Sequence, residues 1–240
     1  MPKVVVSVVA RGHWYPEGVK RMRRAFAETN PDVEIQEWQT APPGAPEEVI
    51  EDGWDYTGYV WKPFALKHAL DSGADVAIQL DAAFWPIRSI QPLVDHILET
   101  GYYLCNNGFK VGEWASDRCL EWMRVDREFA FDIPEASSYC IGVSTRNLKA
   151  KLFVNAWEAW AQVRGVFEGP HTATGGDGRN EGFVSTDARV KGHRHDQTVA
   201  SIVAHRLGMR DLINRPRFTA YEAGYGGHAD ETTVLLNRGI

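Results

Sequence analysis

The part of the sequence that most constrains the fold lies between residues 61 and 86. A helix pattern, a stop signal, a buried-strand pattern and an acidic residue follow one another in WKPFALKHALDSGADVAIQLDAAFWP. Pro63 suits the first turn of a helix, because its missing N–H would have no partner there. Apolar residues then recur at helical spacing up to Leu70, and Gly73 follows as the residue type that best adopts a left-handed helix end.

A short apolar run over residues 76–80 predicts a strand that is covered on both faces. In open α/β sheets, ligands bind just beyond the carboxyl ends of the strands. Asp81 is the first residue after this run. We therefore expect its carboxylate to meet a ligand rather than the core.

The rest of the first half repeats the alternation of strand and helix patterns. Further elements are predicted as strands at 3–10, 33–38 and 102–105, helices at 16–30 and 90–98, and a turn at 106–108. This rhythm implies right-handed crossovers between parallel strands. The predicted fold class is α/β, with a mainly parallel sheet flanked by helices on both faces. We expect a single domain, since the sequence shows neither an internal repeat nor a linker.

The second half has a different character. A strand is predicted at 138–144, a helix with an aromatic face at 152–160, and a last helix from Gln197 to Leu207. The segment from about 165 to 192 is rich in glycine and polar residues. A loop of this length in a compact domain is usually functional or mobile. It is interpreted either as a mobile loop that closes over a ligand or as a disordered insertion.

Charge and cysteine content exclude some classes of protein. The net charge of -6 argues against a broad nucleic-acid-binding surface. Cys105, Cys119 and Cys140 are odd in number and not closely spaced, which favours reduced thiols, no disulfide partner and a cytoplasmic location. The apolar run over residues 4–10 is too short to span a membrane, so no membrane partner is expected.

Two segments resemble the GT-A glycosyltransferase superfamily of nucleotide-diphospho-sugar transferases, whose sheet is Rossmann-like. The strand followed by Leu80-Asp81-Ala82-Ala83 is similar to the strand that ends in the Asp-x-Asp motif, although Ala83 replaces the second aspartate. Residues 192–197, Gly-His-Arg-His-Asp-Gln, resemble the His-x-x-Asp-Gln element near the C-terminus of several such families. The resemblance covers most of the chain. It implies a glycosyltransferase of the hexosyltransferase type, which moves a sugar from a UDP-sugar to a hydroxyl acceptor.

The resemblance also assigns parts of the chain to the donor and to the acceptor. Residues 1–110 correspond to the nucleotide-sugar-binding half and residues 111–240 to the acceptor-side half. The donor-binding residues implied are Arg11, Lys62, Asp81 and Asp55. Arg11 follows the first predicted strand, a position that favours contact with the nucleotide. Lys62 begins a helix near the donor, where a lysine can pair with a phosphate.

Metal binding and catalysis are the further implications of the resemblance. In the superfamily, the Asp-x-Asp motif holds a divalent metal (Mn or Mg), and a late histidine often joins it, so Asp81 and His228 are the predicted metal ligands. Ala83 leaves the site one carboxylate, which leaves metal dependence open. Asp196 is predicted to accept the proton of the acceptor, with His195 as the second catalytic residue. Asp196 also suits an N-cap, which would contribute ~1 kcal/mol.

Other interpretations remain open at this stage. Ala83 also suits a nucleotide-sugar-binding protein without catalysis. A metal-dependent hydrolase built on the late histidines and Asp196 is disfavoured, because Gln197 and Thr198 stand where such a site would need an aspartate and a histidine. A nucleotidyltransferase would need a better phosphate loop than residues 10–14 provide. The acceptor class (glycan, protein or modified DNA base) and the stereochemical course also stay open.

Overall fold

The computed structural model of the chain describes residues 1–10, 15–46, 58–163, 165–173, 183–222 and 228–239. The predicted donor-binding residues Arg11 and Asp55 lie outside these residues. No helix within the described ranges is long and apolar enough to cross a membrane. All three cysteines are described, and each is a buried free thiol.

Strands and helices alternate up to residue 80, as the sequence predicts. The strands are β1 (Val4–Val9), β2 (Glu34–Trp38), β3 (Val76–Leu80), β4 (Phe84–Pro86), β5 (Tyr102–Lys110), β6 (Pro134–Ser144), β7 (Ile213–Asn214), β8 (Phe218–Tyr221) and β9 (Thr233–Asn237). The helices are α1 (Tyr15–Thr29), α2 (Trp61–Asp71), α3 (Gln91–Thr100), α4 (Asp117–Met123), α5 (Arg127–Ala130), α6 (Leu148–Ala161) and α7 (His195–Arg206), with a 3-10 turn at Val111–Glu113.

Six strands form the central sheet in the order β2-β1-β3-β6-β5-β7. β1 pairs in parallel with both β2 and β3, and β7 pairs in parallel with β5. β6 lies antiparallel to both β3 and β5. Five strands therefore run in one direction and only β6 is reversed within this sheet. The predicted α/β fold with a mainly parallel sheet is confirmed.

The sheet has a hydrophobic core on each face, because side chains of successive strand residues point to opposite sides. One core contains side chains from α2, α6 and α7, including Phe64, Trp157 and Ile202. The other contains side chains from α1 and α3, including Phe26 and Leu93. Every residue of β3 is buried, which explains its almost continuously apolar sequence.

Two strands extend beyond their predicted ends. β5 does not turn away at residues 106–108 but continues to Lys110 through register shifts. Asn106 and Asn107 accept hydrogen bonds from the backbone N–H groups two residues further on, both at 2.9 Å, so their turn preference is met within an irregular strand. β6 begins at Pro134, four residues before the predicted start at 138.

The start of α7 corrects another prediction. The helix begins at His195 and its cap position is Arg194, which makes no side-chain cap hydrogen bond. Asp196 therefore lies within the first turn and is not the N-cap. Its carboxylate instead pairs with Lys62, because a buried ammonium needs a charged partner more than the helix end needs a cap.

A second, three-stranded sheet in the order β4-β9-β8 was not predicted from the sequence. Its strands have three to five residues, and β4 pairs with a strand about 150 positions later in the chain. The Arg21 guanidinium on α1 lies 3.7 Å from the ring centroid of Trp85, and so links this sheet to the first helix. Such short strands carry too few residues for a local pattern.

Replacing a core leucine tests the assignment of the two cores. We expect Leu93→Ala to lower the free energy of unfolding by ~2–5 kcal/mol, because Leu93 is fully buried and its truncation leaves a cavity. Leu148→Ala is the control, since this leucine is 71% exposed, and its effect should stay within ~0.5 kcal/mol. Urea unfolding measures both, and equal losses would contradict the placement of α3.

Candidate functional site

A cavity of about 310 Å³ lies at the carboxyl ends of β1, β3 and β5. Residues of α2, of α7 and of the first half of β6 form further parts of its wall. Four of the predicted site residues line it: Lys62, Asp81, His195 and Asp196. His228 is exposed and does not line this cavity.

A buried lysine joins the two predicted aspartates. Lys62 Nζ lies 2.8 Å from Asp81 Oδ1 and 3.3 Å from Asp196 Oδ2. The carbonyl and hydroxyl oxygens of Ser138 both lie 3.4 Å from the same nitrogen. We call Lys62, Asp81 and Asp196 the charged triad. Its members come from the first turn of α2, the position after β3 and the first turn of α7, so the fold itself brings them together.

The lysine keeps its charge because of the two carboxylates. Burial disfavours the charged form and acts to lower the pKa of Lys62, whereas the charges of Asp196 and Asp81 act to raise it. The carboxylates prevail, so the pKa of Lys62 is raised above its ordinary value. An ammonium in the protein interior is stable only when it is paired and hydrogen-bonded in this way.

Asp196 has the properties of a general base. Burial raises its pKa to about 6, and the charge of Lys62 opposes this rise. A carboxylate with such a pKa is ionised at neutral pH and binds a proton more strongly than an ordinary aspartate does. Its side chain is almost completely buried but still contributes to the cavity wall.

The ring of His195 lines the same cavity and is held in a fixed orientation. Its Nδ1 lies 2.9 Å from the carbonyl oxygen of Phe167. A carbonyl only accepts hydrogen bonds, so Nδ1 carries the proton in this contact. The ring stacks on His171 at a centroid distance of 5.7 Å and meets His193 edge-on at 5.2 Å.

His193 has a structural role. Its Nε2 lies 3.1 Å from the carbonyl oxygen of Val166, and its Nδ1 accepts a hydrogen bond from the backbone N–H of Ser116 at 3.3 Å. Burial holds its pKa well below the ordinary value, so the ring is neutral. Both ring nitrogens are engaged, which argues against His193 as a metal ligand of a hydrolase.

The glycine-rich segment contributes its first residues to the surroundings of the site. Residues 165–173 and 183–192 contain neither helix nor strand. Val166 and Phe167 are buried, and a Cβ placed on Gly58 would come within 2.1 Å of the Phe167 carbonyl oxygen. This close approach requires a glycine at position 58. Closure of the segment over a ligand stays a prediction.

Sequence reasoning missed Glu135, a fully buried carboxyl behind the cavity wall. Asn107 Nδ2, on the wall, donates to Glu135 Oε2 at 2.6 Å. Burial raises the pKa of Glu135 to about 8. Four neighbouring groups act to lower this pKa, namely the hydrogen-bonded side chains of Asn107, Gln197 and Thr198 and the charge of Arg194. It therefore holds a proton at neutral pH. The available signal was a lone acidic residue in the otherwise uncharged run that became β6.

Two arginines of the cavity wall were also missed. The Arg194 guanidinium lies 3.9 Å from the ring centroid of Trp114, and its Nη1 lies 3.3 Å from His171 Nε2. Arg215 Nη2 donates to the carbonyl oxygen of Asn107 at 3.3 Å. Neither guanidinium forms an ion pair with a carboxylate in the described part of the chain. Both therefore present positive charge to a ligand.

The described residues around Asp81 offer few free ligands for a divalent metal. Asp81 Oδ1 already accepts hydrogen bonds from Lys62 at 2.8 Å and from Gln79 Nε2 at 3.3 Å. Across the described ranges, no group of three or more histidine, cysteine, aspartate or glutamate side chains is placed to hold a metal ion. The predicted metal ligation by Asp81 and His228 stays a prediction.

Comparisons with known proteins support the fold. No protein-family model matches the chain, and no curated protein sequence matches it. Among solved structures, it is similar to a glycosyltransferase involved in the glycosylation of the major capsid of PBCV-1. The two chains are 10% identical, with a TM-score of 0.54 over 98% of this chain and 92% of the other. The chain therefore has a GT-A-like fold, as the resemblance implies.

Removing the lysine of the charged triad tests its role in stability. We expect Lys62→Met to lower the free energy of unfolding by ~3–5 kcal/mol, because the buried carboxylate of Asp196 and the partly exposed carboxylate of Asp81 then lie close together without a counter-charge. Lys67→Met is the matched control on the same helix, where the ion pair with Asp71 is nearer the surface, and it should cost less than ~1 kcal/mol.

A rescue variant separates charge from packing in this experiment. Adding Asp81→Asn and Asp196→Asn to Lys62→Met removes the uncompensated charges, and we expect it to restore most of the lost stability. Chemical denaturation of the four proteins gives the comparison. A triple variant as unstable as Lys62→Met would show that packing, and not charge pairing, explains the effect.

The proton on Glu135 predicts a pH-dependent stability. Its folded-state pKa is raised from 4.5 to about 8, so its contribution is fully present below pH 4.5 and is lost as pH rises through 8. Glu135→Gln cannot ionise. Relative to this variant, we expect the wild type to lose on the order of 4 kcal/mol of unfolding free energy between these pH values. Urea unfolding at pH 5 and pH 9 measures the change, and a pH-independent difference would contradict it.

Proposed function

We propose that this protein is a glycosyltransferase of the hexosyltransferase type, which moves a sugar from a nucleoside-diphosphate sugar, a UDP-sugar, to a hydroxyl acceptor. The observation that carries the proposal is the charged triad in a cavity at the carboxyl edge of a GT-A-like sheet. Ligands of open α/β sheets bind at this edge. In this proposal, Asp196 is the general base, Asp81 is the donor-binding carboxylate, and Lys62 is a cation for the leaving group.

The donor is proposed to lie across the carboxyl ends of β1 and β3. Val9 and Tyr15 line that side of the cavity, and the nucleotide is proposed to bind beside them. Asp81 is about one-third exposed, and its Oδ1 is held by Lys62 and Gln79. This fixed carboxylate is suited to accept hydrogen bonds from hydroxyl groups of the donor.

Asp196 is proposed to act on the acceptor. As the acceptor oxygen forms a bond to the anomeric carbon, its proton passes to the Asp196 carboxylate. The bond between the anomeric carbon and the diphosphate oxygen breaks, and its electron pair leaves with the diphosphate. His195 is proposed to support this step from the same cavity wall, where its Nδ1 is held by the carbonyl oxygen of Phe167.

The cavity is suited to limit the competing attack by water. Aromatic rings form much of its wall, including those of Tyr59, Trp61, Phe109 and Tyr139. Apolar walls exclude water from the activated donor and strengthen the electrostatic contacts inside the site. An enzyme that transfers a sugar to a hydroxyl group other than water needs this exclusion.

Nucleotide binding and base catalysis are tested together. We expect UDP and a UDP-sugar to raise the melting temperature of the full chain, because a ligand that binds only the folded state stabilises it. Without acceptor, slow release of UDP from the UDP-sugar should be measurable. Asp196→Asn should reduce this rate ~100-fold or more and leave the thermal shift in place. The wild-type rate should fall as pH drops below about 6, because Asp196 is then protonated.

Asp211→Asn is the control, since this aspartate is exposed and lies outside the cavity. Its UDP release should equal that of the wild type. The proposal fails if no nucleoside diphosphate among the uridine, guanosine, cytidine, adenosine and thymidine forms shifts the melting temperature. Ligand binding with no release, even with sugar and hydroxylated acceptors added, would instead indicate a nucleotide-sugar-binding protein without catalysis, the alternative that Ala83 also suits.

A further inference from the structure

We infer that Lys62, Arg194 and Arg215 neutralise the diphosphate of the donor, in place of a divalent metal ion. The inference rests on the proposed glycosyl transfer and identifies how its leaving group is stabilised. When the bond to the anomeric carbon breaks, the electron pair moves onto the diphosphate, whose negative charge grows. Either a metal ion or fixed cationic side chains must meet that charge.

Lys62 already occupies the place beside Asp81 where a metal ion would have to bind. Its ammonium lies 2.8 Å from Asp81 Oδ1, and a divalent cation on the same carboxylate would be repelled by it at short range. Ala83 stands where a second carboxylate would be required. The described chain offers no group of three side chains suited to a metal, and His228 lies outside the wall of this cavity.

Arg194 and Arg215 supply the charge that a metal would bring. Arg194 lies at the cap position of α7, and Arg215 lies between β7 and β8. Stacking on Trp114 holds the Arg194 guanidinium in place. A guanidinium so fixed offers parallel N–H donors, which match the oxygens of a phosphate and are weakly hydrated.

The charge of the cavity agrees with this assignment. Its described wall carries three cationic side chains, Lys62, Arg194 and Arg215, against two carboxylates, Asp81 and Asp196. Glu135 lies behind the wall and holds a proton. The wall is therefore positive by one charge in a chain whose net charge is -6. A concentration of positive charge in an acidic protein favours an anionic ligand at that place.

Binding of UDP to the full chain, measured by titration calorimetry, tests the inference. After dialysis against EDTA, the dissociation constant should change less than about 2-fold when MnCl2 or MgCl2 replaces the chelator. Arg194→Gln and Arg215→Gln should each weaken binding ~10-fold or more in EDTA, since each removes a charge-assisted contact. Arg217→Gln is the matched control, because this arginine is exposed and outside the cavity, and it should bind UDP as the wild type does.

Arg194→Lys is a second variant, which retains the charge and loses the planar fork, and it should bind UDP with intermediate affinity. Melting curves without ligand confirm that each variant is folded. Binding of UDP only with Mn²⁺ or Mg²⁺ would overturn the inference and leave glycosyl transfer standing. Metal-independent binding that neither glutamine variant weakens would overturn the role of the arginines. The absence of binding by every nucleoside diphosphate under both conditions would overturn the proposed function itself.

Discussion

The pairing of a buried ammonium with two carboxylates is the interaction on which the site depends. Lys62 Nζ reaches Asp81 at 2.8 Å and Asp196 at 3.3 Å. Neither contact forms unless α2, β3 and α7 hold their relative positions, and a mispositioned element would leave a charge unpaired in the interior. Such a charge is strongly unfavourable, so the triad favours the arrangement of these elements in which its charges are paired. The cost of an unpaired buried charge at Lys62 thus helps to fix the positions of α2, β3 and α7 relative to one another.

Much of the central sheet is readable from the sequence because its signals are local. The run over residues 76–80 is apolar, bounded and preceded by a helix with a glycine stop, and Gly73 does adopt a left-handed conformation with φ of +81°. The small sheet is not readable in this way. Its strands are short, and β4 and β9 meet only after the chain between them has folded. The predicted start of α7 is two residues too late. Asp196 is a favourable cap residue, but its carboxylate pairs with the buried ammonium of Lys62 instead.

In the site too, local features can be recognised from the sequence and tertiary contacts cannot. Asp81, Lys62 and Asp196 were recognised by strand-end position and by resemblance, but their mutual contact is a property of the tertiary fold. Glu135 and Arg215 carried no motif, and their surroundings come from elements distant in sequence. These contacts belong to the assembled chain.

The reversed strand β6 has a consequence for how such a protein diversifies. Because it runs against its neighbours, its first residues, and not its last, reach the ligand edge of the sheet. Residues 111–133 connect the end of β5 to the start of β6, and so they lie at that edge of the sheet. Changes of length there can remodel one side of the pocket, while β1, β2 and β3 keep their register. Such changes would alter the shape of the pocket on that side and leave the carboxyl ends of β1 and β3 on the other side in place.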